Sequence, residues 1–459
     1  MRKTIQIGLL TALSRFMAIG RAFLQLDYLG FTGMSDAFVI AYRIPNFLRK
    51  IFAEGALSAA FVPVFVRLMR NDKRSTAHSL MLGAFILFEG VLGLMLLCVL
   101  WQPTWIIRML APGFSAAQMS AAVPLTRILF PFIICVSSGA LLAGALQAVN
   151  HFSVAAFGPA LLNFVYLIGL LVCMHMGLSP IALAWFILAG GSIHLMMHWW
   201  VYRSFAFRFG RLTRQTWPLL KEVLGKFGPT LLGMSVVELN MVLDGRFGSY
   251  LQTGSVTMLH YGNRFMGIPL GVFGVAFATV LLSHFARTSL YARSRFGYYL
   301  LEAAKLIIWL MLPAILLIWH VAEPTFASFL VGKASAADIA VAANVLRVYG
   351  LGLIFFCFNK VLMNVAYSLH DLRAPTVAAI GATVLNCMGN TVAVYYRSRV
   401  GIALSTVLST GLFVSICLLA MLSFRHNIRV YTGRLLVSLP RIVSHGVVVI
   451  VGYLIAEKI

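Results

Sequence analysis

The sequence predicts an all-α polytopic membrane protein, and three observations carry that prediction. Of its 459 residues, 61% are hydrophobic and 11% charged, where soluble domains average about 45–50% and about 25%. Mean hydropathy is +0.91. Apolar runs of about 20 residues, enough to cross a bilayer core, recur from one end of the chain to the other. They are about twice too long for the alternating strands of an outer-membrane barrel.

In order, the runs place spans at 5–27, 34–66, 79–101, 121–148, 154–177, 180–204, 221–249, 256–287, 298–321, 337–368, 374–395, 400–423 and 436–456. The first follows Met1-Arg2-Lys3 much as a signal peptide would. Arg15 and Arg21 interrupt it, however, and no small-residue cleavage site follows, so it reads as a retained helix. Loop charge then orients the chain. Lys and Arg gather at 67–74, 203–214, 293–295 and 425–434, while the opposite loops hold only Arg108, Lys333, Arg397, Arg399 and Lys458. The positive-inside rule puts the N-terminus in the cytoplasm.

An offset of 221 residues aligns the chain with itself, pairing Gly33 with Gly254, Arg43 with Arg264 and Ala145 with Ala366. Six spans repeat as six. An even number makes the halves parallel, related by a pseudo-two-fold along the membrane normal. The expected organisation is an N-lobe at 1–205, a basic cytoplasmic linker at 206–220, a C-lobe at 221–425 and an extra C-terminal helix within 426–459. Two such lobes are the architecture of an alternating-access transporter.

The net charge of +23 sits on no polar domain able to present it to nucleic acid, so cytoplasmic loops and an anionic substrate account for it better. All six cysteines lie in apolar runs without a C-x-x-C pair and read as buried small hydrophobes. Walker A, G-x-S-x-G and H-E-x-x-H motifs are absent, so neither bound ATP nor hydrolytic catalysis is indicated. His194 and His198, four apart, read as interfacial histidines rather than a metal pair.

Charges inside spans cost several kcal/mol each. In the first span, Ser14 and Arg21 are seven apart and share a face, with Arg15 about 100° around from them. Arg15 lies about 15 Å deep, too far in to snorkel. For Arg21, snorkelling to headgroups and facing a cavity stay open. The second span holds Asp36, Arg43, Asn46, Arg49, Lys50 and Glu54 around Pro45, with Asp36, Arg43 and Lys50 in one stripe that cannot face lipid. Asp36–Arg43 reads either as a structural ion pair or as substrate contact. Farther along, Arg264 precedes a Pro- and Gly-rich run at 268–274, irregular backbone that is tolerated only where it lines protein or water. Glu238, Asn240 and Asp244 are buried oxygen ligands that either meet cavity arginines or suit a hard cation such as Na+.

These residues resemble the MurJ (MviN) family of lipid II flippases. The likeness runs through Leu13-Ser14-Arg15, Gly20-Arg21, Ser35-Asp36-Ala37-Phe38, Arg43-Ile44-Pro45-Asn46-Phe47-Leu48-Arg49, Phe52-Ala53-Glu54-Gly55-Ala56, Arg127-Ile128-Leu129-Phe130-Pro131, and Asn263-Arg264 to Pro269-Leu270-Gly271-Val272. It covers residues 1 to about 425 and implies membership of the multidrug/oligosaccharidyl-lipid/polysaccharide exporters. It further implies that Ser14, Arg15, Arg21 and Arg264 contact the diphosphate and headgroup of lipid II. Asp36, Arg43, Asn46, Arg49 and Glu54 would then line or gate the cavity. Two departures stand out: Ala22 occupies a position where the family has Asp, and one helix rather than two follows the second lobe.

The resemblance implies an inner-membrane, non-enzymatic transporter serving cell-wall synthesis, with lipid II, membrane lipids and a cell-wall synthesis complex as partners. No cofactor is implied beyond coupling to Na+ at Asp244 or to the membrane potential. A multidrug-type exporter, or a flippase for another polyprenyl-linked oligosaccharide, is the alternative. A cation exporter would want buried carboxylates, whereas arginines dominate the first two spans.

Overall fold

The computed structural model describes residues 2–52, 56–271, 295–369, 371, 373–428 and 432–458. Every regular element among them is helical, because backbone N–H and C=O groups in a bilayer must be satisfied within the segment that crosses it. Among the described residues, nine helical stretches are long and apolar enough to cross a membrane. The chain divides into two compact units, Met1–Glu238 and Leu239–Ile459.

The first unit contains α1 (Arg2–Leu29), α2 (Gly33–Phe52), α3 (Ala56–Arg70), α4 (Arg74–Trp101), α5 (Pro103–Leu110), α6 (Ala116–Leu129), α7 (Phe132–Ala148), α8 (Ser153–Met176), α9 (Pro180–Ser204) and the start of α10 (Thr216–Gly248). α1 packs on α8, α2 on α6, and α9 on both α7 and α8. The α1–α2 turn needs Gly30, whose φ of 60° is left-handed and costs glycine nothing. α2 stays helical through Pro45. It carries four charges, Asp36, Arg43, Arg49 and Lys50.

One predicted span, 121–148, is two helices, α6 and α7, separated at Phe130 and Pro131. The proline has no N–H to continue the ladder. The basic stretch after α9 is no loose tether. Phe207 is buried among Phe65, His78 and Tyr202, and the Gly210 amide donates to the His78 carbonyl at 3.0 Å. A Cβ at Gly210 would come within 2.7 Å of the Ser79 amide nitrogen. Arg208, Arg211 and Arg214 nonetheless stay exposed.

His194 and His198 are buried rather than interfacial. The His194 ring fits only because Gly139 and Gly158 lack side chains; a Cβ at either would come within 2.6 Å of it. Cys173 and Cys357 are buried as expected, but Cys98 is exposed on α4, among large apolar side chains such as Leu94, Leu97 and Trp101. On a spanning helix that surface is lipid-facing.

The second unit contains the end of α10, α11 (Ser255–Pro269), α12 (Phe296–Phe329), α13 (Ala336–Leu351), α14 (Leu353–Ser368), α15 (Arg373–Tyr395), α16 (Arg399–Thr406), a π-helical segment (Val407–Phe413), α17 (Val414–His426) and α18 (Thr432–Lys458). The predicted span 337–368 is interrupted at Gly352, between α13 and α14. α18 packs along α12.

The loop before α15 is fastened to the end of α17. Asp371 Oδ1 accepts from the amides of Arg373 and Ala374 at 3.0 and 3.2 Å and from Arg425 Nη1 at 3.0 Å. Its Oδ2 lies 3.0 Å from His426 Nε2. Burial alone would push this carboxyl up. The His426 bond, the Ala374 amide, the Arg425 charge and the Arg373 amide together hold it below the usual carboxylate range. A depressed folded-state pKa stabilises above the ordinary pKa, and the contribution is lost as pH falls through the lowered one. Asp371→Asn should therefore lower stability at neutral pH by about 1–3 kcal/mol. Thermal unfolding in detergent should show the gap from wild type narrowing in strong acid; a gap independent of pH would contradict the assignment.

Candidate substrate and cation sites

Ser14 and Arg21 share the face of α1 that meets α8. Asn163 Nδ2 donates to both the hydroxyl and the carbonyl oxygen of Ser14, at 3.1 Å each, and Ser14 is buried. One turn farther along α8, the Arg21 guanidinium stacks on the Tyr166 ring, 4.6 Å from its centroid. The arginine Nε is buried without a hydrogen-bond partner, so this side chain is held among helices rather than extended toward headgroups. Arg15, around the helix, is exposed.

On α2, Asp36 is 1% exposed and accepts from Gln118 Nε2 at 3.2 Å. Gln118 belongs to the capping box that starts α6 with Ser115, so Asp36 ties α2 to the N-terminus of α6. Asn46 Oδ1 accepts from both Nε and Nη2 of Arg49, at 3.2 Å each, which orients the guanidinium plane. Arg43 is half-buried. Glu54 and the side chain of Lys50 lie outside the described residues. In the second unit, Arg264 is half-buried in α11.

The densest polar cluster among the described residues surrounds Asp244. Its Oδ1 accepts from Asn386 Nδ2 (3.2 Å) and Asn390 Nδ2 (2.9 Å), and its Oδ2 from Thr406 Oγ1 (2.7 Å). Asn240, one turn earlier on α10, donates to Thr410 Oγ1 at 3.2 Å. The amide oxygens of Asn240 and Asn390 are buried without a partner. These donors are neutral amides and a hydroxyl. The side chain of Glu238 is not described.

Beyond Thr406 the helix widens into the π segment. Asn359 Nδ2 caps the carbonyls of Thr410 (2.8 Å) and Gly411 (3.1 Å), and Asn359 Oδ1 accepts from Ser415 at 2.7 Å. Such π turns recur at functional sites. Sequence reasoning missed Asn386, Asn390 and Thr406. The signal available was Asn386-x-x-x-Asn390, two amides on one face of an apolar helix. A carboxylate with amide and hydroxyl oxygens is a donor set for a hard cation.

The same unit encloses an apolar cavity of about 270 Å³, lined by Leu300, Leu301, Ile307, Phe355, Phe358 and Leu435 among others. It is walled by α12, α14, the end of the π segment with α17, and the start of α18.

By its fold the chain shares the all-helical architecture of membrane transporters. An inward-facing multidrug resistance MATE family transporter of the MOP superfamily superposes with a TM-score of 0.77 over 91% of this chain and 94% of that one, at 14% identity. A structure of lipid II flippase MurJ in an inward closed conformation gives a TM-score of 0.81 and 25% identity over 97% and 93%. A family model for lipid II flippase MurJ matches residues 26–457. Among relatives, a probable lipid II flippase MurJ of Buchnera aphidicola subsp. Acyrthosiphon pisum is 30% identical over 93% of this chain and 84% of its own. The lipid II flippase MurJ of Burkholderia cenocepacia is 28% identical over 92% and 83%. The chain belongs to the lipid II flippase MurJ family.

The Ser14–Asn163 contact is open to a double-mutant cycle. Asn163→Leu should destabilise the protein by about 1–2 kcal/mol. Ser14→Ala should remove less when Asn163 is already leucine, because the two share one interaction. Strict additivity in thermal unfolding would show that the contact contributes nothing.

Proposed function

We propose that this protein carries lipid II from the cytoplasmic to the outer leaflet of the bacterial inner membrane by alternating access, supplying cell-wall synthesis. The observation that carries the reading is the family match across residues 26–457. The chemistry agrees with it. Lipid II joins a diphosphate-linked headgroup to a polyprenyl tail, and guanidinium groups bind phosphate oxygens in bidentate fashion. Arg15, Arg21 and Arg264 are assigned to the diphosphate and headgroup. Ser14, already bonded to Asn163, positions α1. Asp36, Arg43, Asn46, Arg49 and Glu54 are assigned to the cavity wall and its gating. The apolar cavity beside α12 suits the tail. The N-terminus is assigned to the cytoplasm, and residues 1–205 and 221–425 to two lobes joined by 206–220, with 426–459 appended.

Asp244 with Asn240, Asn390 and Thr406 is assigned to Na+, which couples the cycle to an ion gradient. The support is a carboxylate that accepts from two amides and a hydroxyl, beside the buried amide oxygens of Asn240 and Asn390, which complete no hydrogen bond. Of the sequence's alternatives, the multidrug exporter for cations is less well supported, since guanidinium groups populate α1 and α2.

Translocation of fluorescent lipid II in proteoliposomes tests both assignments. Arg264→Lys keeps the charge but loses the planar two-point grip, at about 1.5–3 kcal/mol; a drop of about tenfold or more is expected. An undiminished rate would show that charge alone suffices there. For Asp244, NaCl should stabilise wild type relative to choline chloride by about 2.7 kcal/mol at a hundredfold excess over Kd, seen as a higher thermal midpoint. Asp244→Asn should abolish the difference, and its persistence would place the Na+ elsewhere.

A further inference from the structure

Glu89 is an acid that none of the assigned sites uses. It lies on α4 about 22 Å along the helix from Arg74, near the middle of the span Arg74–Trp101, and is 9% exposed. Both carboxyl oxygens are buried, and neither completes a hydrogen bond. The hydroxyls of Ser137 and Ser138 on α7 lie beside it. Both serines are buried, and Ser137 Oγ also lacks a partner.

The neighbouring elements bring no compensating charge. α7 contributes the Cys135 thiol. Behind α7, α9 contributes His194, whose Nδ1 has no partner. On α3, Arg67 is bound to Glu222 and Arg70 is exposed at the helix end. Arg108 on α5 and Arg127 on α6 are exposed. On α10, Lys221 lies over Trp217 and Lys226 bonds Glu222. On α4 itself, His78 sits at the far end beside Arg74. No cation among the described residues forms an ion pair with Glu89.

Asp244 shows what a charged carboxylate needs at such depth: three donors aimed at its oxygens. Glu89 has none in place, and without water an ionised carboxylate is strongly disfavoured there. A neutral acid is tolerated, with a serine hydroxyl oxygen in reach as acceptor. We propose that Glu89, with Ser137 and Ser138, is a proton-binding site of the transport cycle. The carboxyl carries its proton while α4 and α7 are packed as described. When water reaches it, the O–H bond breaks, the proton passes to water, and the carboxylate remains. The idea rests on the chain being a transporter, not on the identity of its cargo.

The test uses the full chain in liposomes, without lipid II. Infrared titration from mildly acidic to mildly alkaline pH should show the carbonyl stretch of a protonated carboxylic acid at neutral pH in wild type. Glu89→Gln, nearly isosteric, should lose that band. Ser137→Ala or Ser138→Ala should keep it but move its midpoint by about one pH unit, which preserves the test if Glu89→Gln fails to fold. Absence of the band in wild type, its survival in Glu89→Gln, or an unmoved midpoint in both serine variants overturns the proposal. Loss of the band on adding NaCl but not choline chloride also overturns it, in favour of a Na+ site. Since no cargo is present, failure here is distinct from failure of lipid II translocation.

Discussion

A bilayer core offers no water to donate or accept a hydrogen bond, so a polar atom on a spanning helix is costly unless another helix answers it. Most of the order described here follows from that constraint. Asn163 answers Ser14, Gln118 answers Asp36, Asn386 and Thr406 answer Asp244, and Asn359 answers the carbonyls of the π segment. Each bond also selects a neighbour: α8 for α1, α6 for α2, α15 and α16 for α10. Apolar contact alone distinguishes such pairings poorly in lipid, because acyl chains are as apolar as leucine.

Charged groups are treated differently at different depths. Asp371, between spans, has a full cationic partner in Arg425, close to His426. Among the contacts of Asp244 are amides and a hydroxyl, which lower the cost of its charge without cancelling it. A negative site solvated by dipoles keeps its appetite for a cation; one closed by an arginine does not.

That the chain is all-helical and membrane-spanning was legible, because the length of an apolar run is read directly from the chain. So was the shared face of Ser14 and Arg21, which needs only helical periodicity. What those side chains would touch was not legible, since a face does not name the helix it meets. That is why Tyr166 and Gln118 escaped notice, and why His194 was placed at an interface: the space for its ring is made by glycines on two other helices. Helix ends were blurred where a break interrupts no apolar run, as at Phe130–Pro131 and Gly352. Glu89 was passed over because a single acid inside a strongly apolar run forms no pattern.

The π segment at 407–413 bears on how this part of the chain can change. Each residue of an α-helix advances the angle by about 100°, so a residue taken up in a wider turn rotates everything beyond it by that amount relative to an unbroken helix. The faces of α16 and α17 are thus out of phase, and a stripe counted straight through 400–423 assigns the later half to the wrong side. Such a turn works as a vernier. A single-residue deletion there has somewhere to go: the wide turn tightens to an ordinary one, and the helix survives with its downstream face still pointing the same way. A length change elsewhere in a spanning helix would have to be absorbed at the membrane surface.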